Sequence, residues 1–406
     1  MKKFLKIATV VTAAALIFAA CGGSDEDSAP DTTMAGATDT TMAGETSDVF
    51  TFTNFTPFEG GTVVKCAPAD GSALKAAWIY VGPINDGGWT QTHNAGREYV
   101  QEILGDKVIT TYKENVPEGP QVEIVIDDLV KDGNTVIFGT SFGFQDAFLA
   151  SAAKYPDVCF EFATGYTQKN NMSQFYGASE DTKYLSGIAA GAEAPEGSEI
   201  GVVAPFAIPE VIRGLNGFVL GVQKVNPTAT VKVVWTNTWF DPAIERKAAE
   251  SLISAGVKAI ASFQDSPATG EAAKVKGIGW VGYDSDQSEA FNDIWLTAST
   301  YDWGPYELAK IEAAIEGKWI SGDYYGNLSD NFISIANYGA KVTQETKDLI
   351  ASERERLTAN PAAQFTGPIT AQDGTVKIAE GAIPSYGELM SMDYQIKGIT
   401  TDLPQK

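Results

Sequence analysis

One histidine and three cysteines in 406 residues set the first limits. A single His excludes a site built from several imidazole ligands, and three Cys exclude a four-thiolate zinc site or a disulfide-dense scaffold. No metal and no cofactor is expected. Basic residues are scarce: 29 Lys and Arg face 52 Asp and Glu, a formal charge of −23. Nucleic-acid binding needs a basic patch or stripe, so no nucleic-acid partner is expected, and a polybasic grip on anionic lipid is excluded in the same way. Apolar residues are plentiful at 44%, with 20 Phe, 15 Tyr and 8 Trp, enough to fold. The length predicts two domains or three.

Residues 1–21 read MKKFLKIATVVTAAALIFAAC. Lys2, Lys3 and Lys6 precede an apolar run, Ile7 to Ala20, that suits a signal peptide and is short for a membrane span. Phe18-Ala19-Ala20-Cys21 resembles a bacterial lipobox, with Phe18 where that pattern usually has Leu. A signal peptide over 1–20 and lipidation at Cys21 are therefore expected, against a plain signal peptide with Cys21 incidental. The anchor would hold the protein at the extracytoplasmic face of the cell membrane. A disordered acidic tether is expected over 21–72. Residues 22–49 hold seven acids, no base and the hexamer DTTMAG twice, at 31–36 and 39–44. As a coil this part reaches about 30 Å. Cys66 and Cys159 could pair outside the cytoplasm, although Cys159 in an apolar run could equally be a buried thiol.

From Leu74 onward apolar runs alternate with amphipathic stretches. Ala76–Val81, Thr135–Phe138 and Val158–Phe160 read as strands, and Thr92–Leu104 and Val122–Lys131 as helices. The alternation restarts with strands at Ile200–Ala204, Val231–Trp235, Val257–Ala261 and Trp280–Tyr283, and helices near 209–225, 242–255 and 270–275. This is an α/β chain with two doubly wound parallel-sheet lobes. Ligands of such sheets bind at the carboxyl ends of strands, and facing lobes make a cleft.

No phosphate loop, dinucleotide fingerprint, HExxH, GxSxG or CxxC motif occurs, and no catalytic residue is expected. His93 reads as a residue near a helix start that hydrogen-bonds locally. The pair Asp284/Asp286 is weak evidence for glycosidase chemistry in so acidic a chain. The strand ends carry the signal. Trp89, Phe142, Tyr166, Phe206, Trp239 with Phe240, and Tyr283 follow successive strands, with Asn237, Asp265 and Asp284 close by. Aromatics at loop starts beside amides and carboxylates suit a stacking slot for a flat, amine-bearing heterocycle; sugars also stack on aromatics.

Several segments carry a family resemblance: Gly82–Thr90 (GPINDGGWT), Gly139–Phe144 (GTSFGF), Phe162–Tyr166 (FATGY), Phe206–Val211 (FAIPEV), Asn237–Pro242 (NTWFDP) and Trp303–Tyr306 (WGPY). Over about 74–395 the chain resembles the basic membrane protein family of ABC-transporter substrate-binding lipoproteins. The resemblance implies the two-lobed type I periplasmic-binding-protein fold, with 73–182 and about 286–318 in one lobe and 183–285 and about 319–395 in the other. It implies a purine nucleobase or nucleoside as ligand, a membrane permease as partner, and no catalysis. Trp89 falls where the family stacks an aromatic on the base, Phe206 at its counterpart from the second lobe, and Asp265 and Asp284 in loops approaching base or sugar. Trp303 joins this set through its motif. Nucleoside-binding members usually have a Lys after a Leu-Thr-Ser strand, where this chain has Tyr301. An adenine-like free base is therefore expected over a nucleoside, in a monomeric receptor. The alternatives are a purine nucleoside receptor, a sugar, autoinducer or amino-acid receptor, a signalling receptor and, last, a cell-surface nucleoside hydrolase.

Overall fold

A computed structural model describes residues 54–404. The signal segment, Cys21 and the tether up to residue 53 lie outside the described residues. In the first lobe, β1 (Phe55–Pro57), β2 (Leu74–Ile79), α1 (Trp89–Leu104), β3 (Val108–Lys113), α2 (Gln121–Lys131), β4 (Val136–Gly139), α3 (Gln145–Lys154), β5 (Cys159–Ala163) and β6 (Met172–Gly177) follow in order. The chain then crosses into α4 (Ser179–Glu193), β7 (Glu199–Ala204), α5 (Pro209–Val225), β8 (Thr230–Trp235), α6 (Pro242–Ala255), β9 (Ala259–Ser262), α7 (Ala268–Lys276), β10 (Gly279–Asp284) and β11 (Trp295–Tyr301). It returns for α8 (Gly304–Ile315) and β12 (Gly322–Gly326), and crosses a third time to β13 (Ile333–Ile335), α9 (Gln344–Ala359) and α10 (Tyr386–Met390).

The first sheet runs β1-β12-β6-β5-β4-β2-β3 and the second β13-β11-β10-β9-β7-β8. Strands β4 and β5 are buried along their whole length, as a parallel sheet covered on both faces requires. Local sequence sets the helix ends. The Asp241 carboxylate accepts from Ala243 N and Ile244 N, both at 3.0 Å, ahead of Pro242. Gly256 ends α6 with φ +97°, a left-handed cap that glycine adopts without strain.

Three sequence expectations change. Residues 54–72 are not tether. β1 pairs antiparallel with β12, Val64 bridges Trp319, and a disulfide joins Cys66 to Cys159 on β5. The division of the last third also differs. β11 lies parallel to β10 in the second sheet, and β12 lies beside β6 in the first. Thus 286–301 goes with the second lobe and 319–326 with the first, because the chain crosses twice more where pairing, not hydrophobic pattern, selects the partner strand. Finally, His93 is fully buried inside α1 and makes no local hydrogen bond.

Candidate ligand-binding site

The loop after β2 sets the first wall. The Asp86 carboxylate accepts from the backbone N–H groups of Gly88, Thr90 and Gln91 at 2.8–3.0 Å, which fixes the start of α1 and makes Trp89 its first residue. The Trp89 indole donates to Thr140 O at 2.6 Å. His93, Trp303 and Tyr301 meet its ring edge-on, with centroids 4.6, 5.2 and 5.9 Å away. Opposite, β9 delivers Asp265 and β10 delivers Tyr283. The lobes touch at this point. A Cβ on Gly88 would lie 2.9 Å from Asp265 O, and Gln287 Nε2 and the Ser285 hydroxyl both donate to Gly87 O.

Between the walls is a narrow slot with about 20 Å³ of free room, space for a water molecule and well short of a small-molecule site while the lobes lie this close. Val81, Trp89, Thr140, Ser141, Phe142 and Thr164 line it from the first lobe, and Glu210, Trp239, Asp265 and Tyr283 from the second. The structure thus brings together Trp89, Phe142, Trp239, Asp265 and Tyr283 of the residues expected from sequence. Tyr166, 66% exposed, lines a neighbouring chamber. Phe206 packs on the Trp239 ring at 4.9 Å without lining the cavity. Asn237 is exposed in a left-handed turn, φ +56°, and Phe240 is half-buried away from the wall. Trp303 lies one layer behind Trp89, stacked on Tyr301 at 4.5 Å. Asp284 is buried beside the wall and does not line it; neither carboxylate oxygen has a close hydrogen-bond partner among the described residues, although Lys183 and Tyr283 act on the group.

Thr164, Glu210, Thr140, Ser141 and Val81 were not singled out from sequence. All but Val81 fall inside the quoted family segments, so the signal was there without the side-chain direction. Thr164 is the most telling: φ is +66°, an outlier for a β-branched residue, and its hydroxyl is buried without a partner among the described residues.

Burial dominates the electrostatics. It pushes the Asp265 carboxyl well above the usual carboxylate range, and the negative charges of Asp86, Asp284 and Glu245 add to this. Glu210 is pushed up to about 7 by burial, against the opposing pull of Arg213 and Lys183. Asp284 rises to about 8 by burial, partly offset by Lys183. Burial lowers Lys183, whose ammonium sits 5.0 Å from the Tyr283 ring centroid. A protonated carboxyl both donates and accepts, so Asp265 can meet a ring nitrogen and an adjacent N–H together.

Residues 73–360 match the model of a family described as PnrA-like ABC transporter substrate-binding proteins. The chain belongs to this family. A purine-binding protein of Brucella abortus (strain 2308) is 37% identical over 332 residues, 82% of this chain and 94% of that one. A Haloferax volcanii protein, whose name assigns it to glucose binding in an ABC transporter, is 38% identical over 290 residues, 71% of this chain and 73% of that one. An ABC-transporter solute-binding protein of Aeropyrum pernix K1 shares the fold, with a TM-score of 0.62 at 17% identity over 78% of this chain and 95% of that one. As a member of the PnrA-like family, the chain is a solute-binding protein of an ABC importer and not an enzyme. It takes a small ligand and serves a permease, on the extracytoplasmic side. No helix among the described residues is long and apolar enough to cross a membrane.

Proposed function

We propose that the cleft captures a purine nucleobase, adenine-like, and that the protein delivers it as a monomer tethered through a lipid on Cys21. The observation that carries this is the cavity itself: Trp89 and Phe142 face Trp239 and Tyr283 across a narrow space, with Asp265 at its edge. Stacking on aromatic side chains contributes roughly 1–3 kcal/mol per base. Asp265 would pair with ring and exocyclic nitrogens, and leaving it unpaired would penalise ligands without those groups. The Tyr301 hydroxyl donates to the Tyr176 hydroxyl at 3.0 Å and offers a ribose no cation. The purine-binding name of the Brucella relative supports the same ligand class.

A nucleoside is the second reading. The cavity shares Phe142, Thr164 and Glu210 with a chamber of about 610 Å³ that also holds Gln174 and Arg213, room enough for a sugar. Denaturing the purified protein and taking the ultraviolet spectrum and mass of the released small molecule separates the two. Calorimetric titration with adenine, hypoxanthine, adenosine and glucose then ranks them. Adenine or hypoxanthine binding most tightly supports the proposal, adenosine binding most tightly favours the second reading, and binding of glucose alone overturns both.

A further inference from the structure

Residues 361–404 extend past the segment matched by the family model, and the binding chemistry above uses none of them. Much of this stretch is fixed to the second lobe. Buried Asn216 on α5 donates to Tyr394 O at 2.8 Å and accepts from Ile396 N at 3.1 Å. On the edge strand β8, Val231 N donates to Gly398 O and Val231 O accepts from Thr400 N, both at 2.8 Å. Leu389 and Met392 are buried in the core. Residues 389–401 therefore move with the second lobe.

From this base α10 reaches the first lobe. Its N-terminus is fixed by a capping box between Ser385 and Glu388. Its first residue, Tyr386, donates its hydroxyl to Asp323 Oδ2 on β12 at 2.8 Å. The Tyr386 ring also meets Tyr325 edge-on at 5.2 Å. Three covalent crossings join the lobes, and this contact adds to the interlobe hydrogen bonds at Gly87 O and between Trp239 and Glu118. Tyr386, Met390, Ser391 and Asp393 also line the large chamber that shares Phe142, Thr164 and Glu210 with the aromatic cavity.

We propose that residues 384–394 are a strap closing the side of the cleft, with the Tyr386–Asp323 hydrogen bond as its catch. The strap is carried by one lobe and caught by the other, so opening the lobes must break the catch. Ligand in the closed protein has the walled chamber beside it, so the catch slows release.

The choice of ligand in the test rests on the purine proposal; the strap itself does not. In the full mature chain, adenine dissociation is followed by stopped-flow tryptophan fluorescence in Tyr386→Phe, which keeps the ring and loses the hydroxyl, and in Tyr386→Ala. The expected result is a three- to tenfold faster dissociation in Tyr386→Phe, more in Tyr386→Ala, at nearly unchanged melting temperature. A second readout needs no ligand: label pairs placed by Lys107→Cys in the first lobe and Lys276→Cys in the second report the interlobe distance, which should lengthen or broaden in Tyr386→Ala. Dissociation and distance both at wild-type values in the variants overturn the strap. If wild type binds no purine, the ligand proposal falls and the distance measurement alone decides the strap. If Tyr386→Ala loses its fold, Tyr386→Phe decides.

Discussion

Trp239 of the second lobe donates its indole N–H to Glu118 of the first at 3.1 Å. The same Glu118 oxygen accepts from the Ser141 hydroxyl at 2.7 Å and from Gly143 N at 2.8 Å. Glu118 therefore ties a cavity-lining loop of one lobe to a cavity-lining ring of the other. Glu118 is exposed, and exposed charged contacts contribute little. Glu118→Ala should weaken ligand binding about fivefold, near 1 kcal/mol, chiefly through faster dissociation. Trp239→Phe in the Glu118→Ala background should add less than it does alone; full additivity in titration calorimetry would show that the two do not cooperate.

Trp89 is held by its indole N–H on Thr140 O and by three edge-on rings. Trp89→Ala removes the stacking face and should raise the Kd for adenine at least tenfold, within the roughly 1–3 kcal/mol that base stacking contributes. Trp89→Phe keeps a face and should lose less. If affinity is unchanged in Trp89→Ala, ligand does not stack there.

Stability should depend on pH through Asp284. Its carboxyl keeps its proton up to about pH 8 in the folded protein, against roughly 3.9 when unfolded. Between those values the folded state binds more protons, so stability falls as pH rises. Asp284→Asn cannot titrate, and Asn tolerates the left-handed backbone of this position, φ +58°. The melting temperature of the variant minus that of wild type should therefore rise from pH 4 to pH 8 and then level off. A rise of at least about 2–4 °C corresponds to 1 kcal/mol in domains of this size. A gap independent of pH would refute the assignment.

Helices α4 and α5 touch backbone to backbone. A Cβ on Gly221 would lie 1.9 Å from Tyr184 O, and one on Gly187 would lie 2.2 Å from Phe218 O. Since α5 carries the cavity-lining Glu210 and α4 carries Lys183 beside the Tyr283 ring, separating the helices would disturb the cavity as well as the core. Gly221→Ala should cost about 3 kcal/mol or more, or prevent folding, in a urea melt. Gly387→Ala, with nothing within 4 Å of the new carbon, is the matched control and should be near neutral.

Strands β2, β4, β5 and β7–β10 were legible because continuous apolar runs have few other uses in an α/β chain. Helix α4 was not: it is buried from Ser179 to Gly191, so its sequence shows no polar face and no helical period. Strand β12, Gly-Asp-Tyr-Tyr-Gly, carries no apolar run, and its place between β1 and β6 follows from pairing. In the cavity, Trp89, Phe142, Trp239, Asp265 and Tyr283 were legible as side chains at strand ends. Trp303 has the same chemistry and lies one layer deeper. Asp284 follows Tyr283 directly, yet only the tyrosine lines the wall.

The sequence by itself determined the α/β class, the two-lobed family and the aromatic, acidic character of the cleft, because burial period and residue chemistry are local properties. Only the tertiary structure decided which aromatics face the cavity, that Cys66 joins Cys159, that the chain returns to the first lobe for α8 and β12, and that α10 reaches Asp323. Each of these depends on which surfaces meet after the chain has crossed between lobes. Those meetings are set by packing and pairing over long sequence separations, which local pattern does not encode.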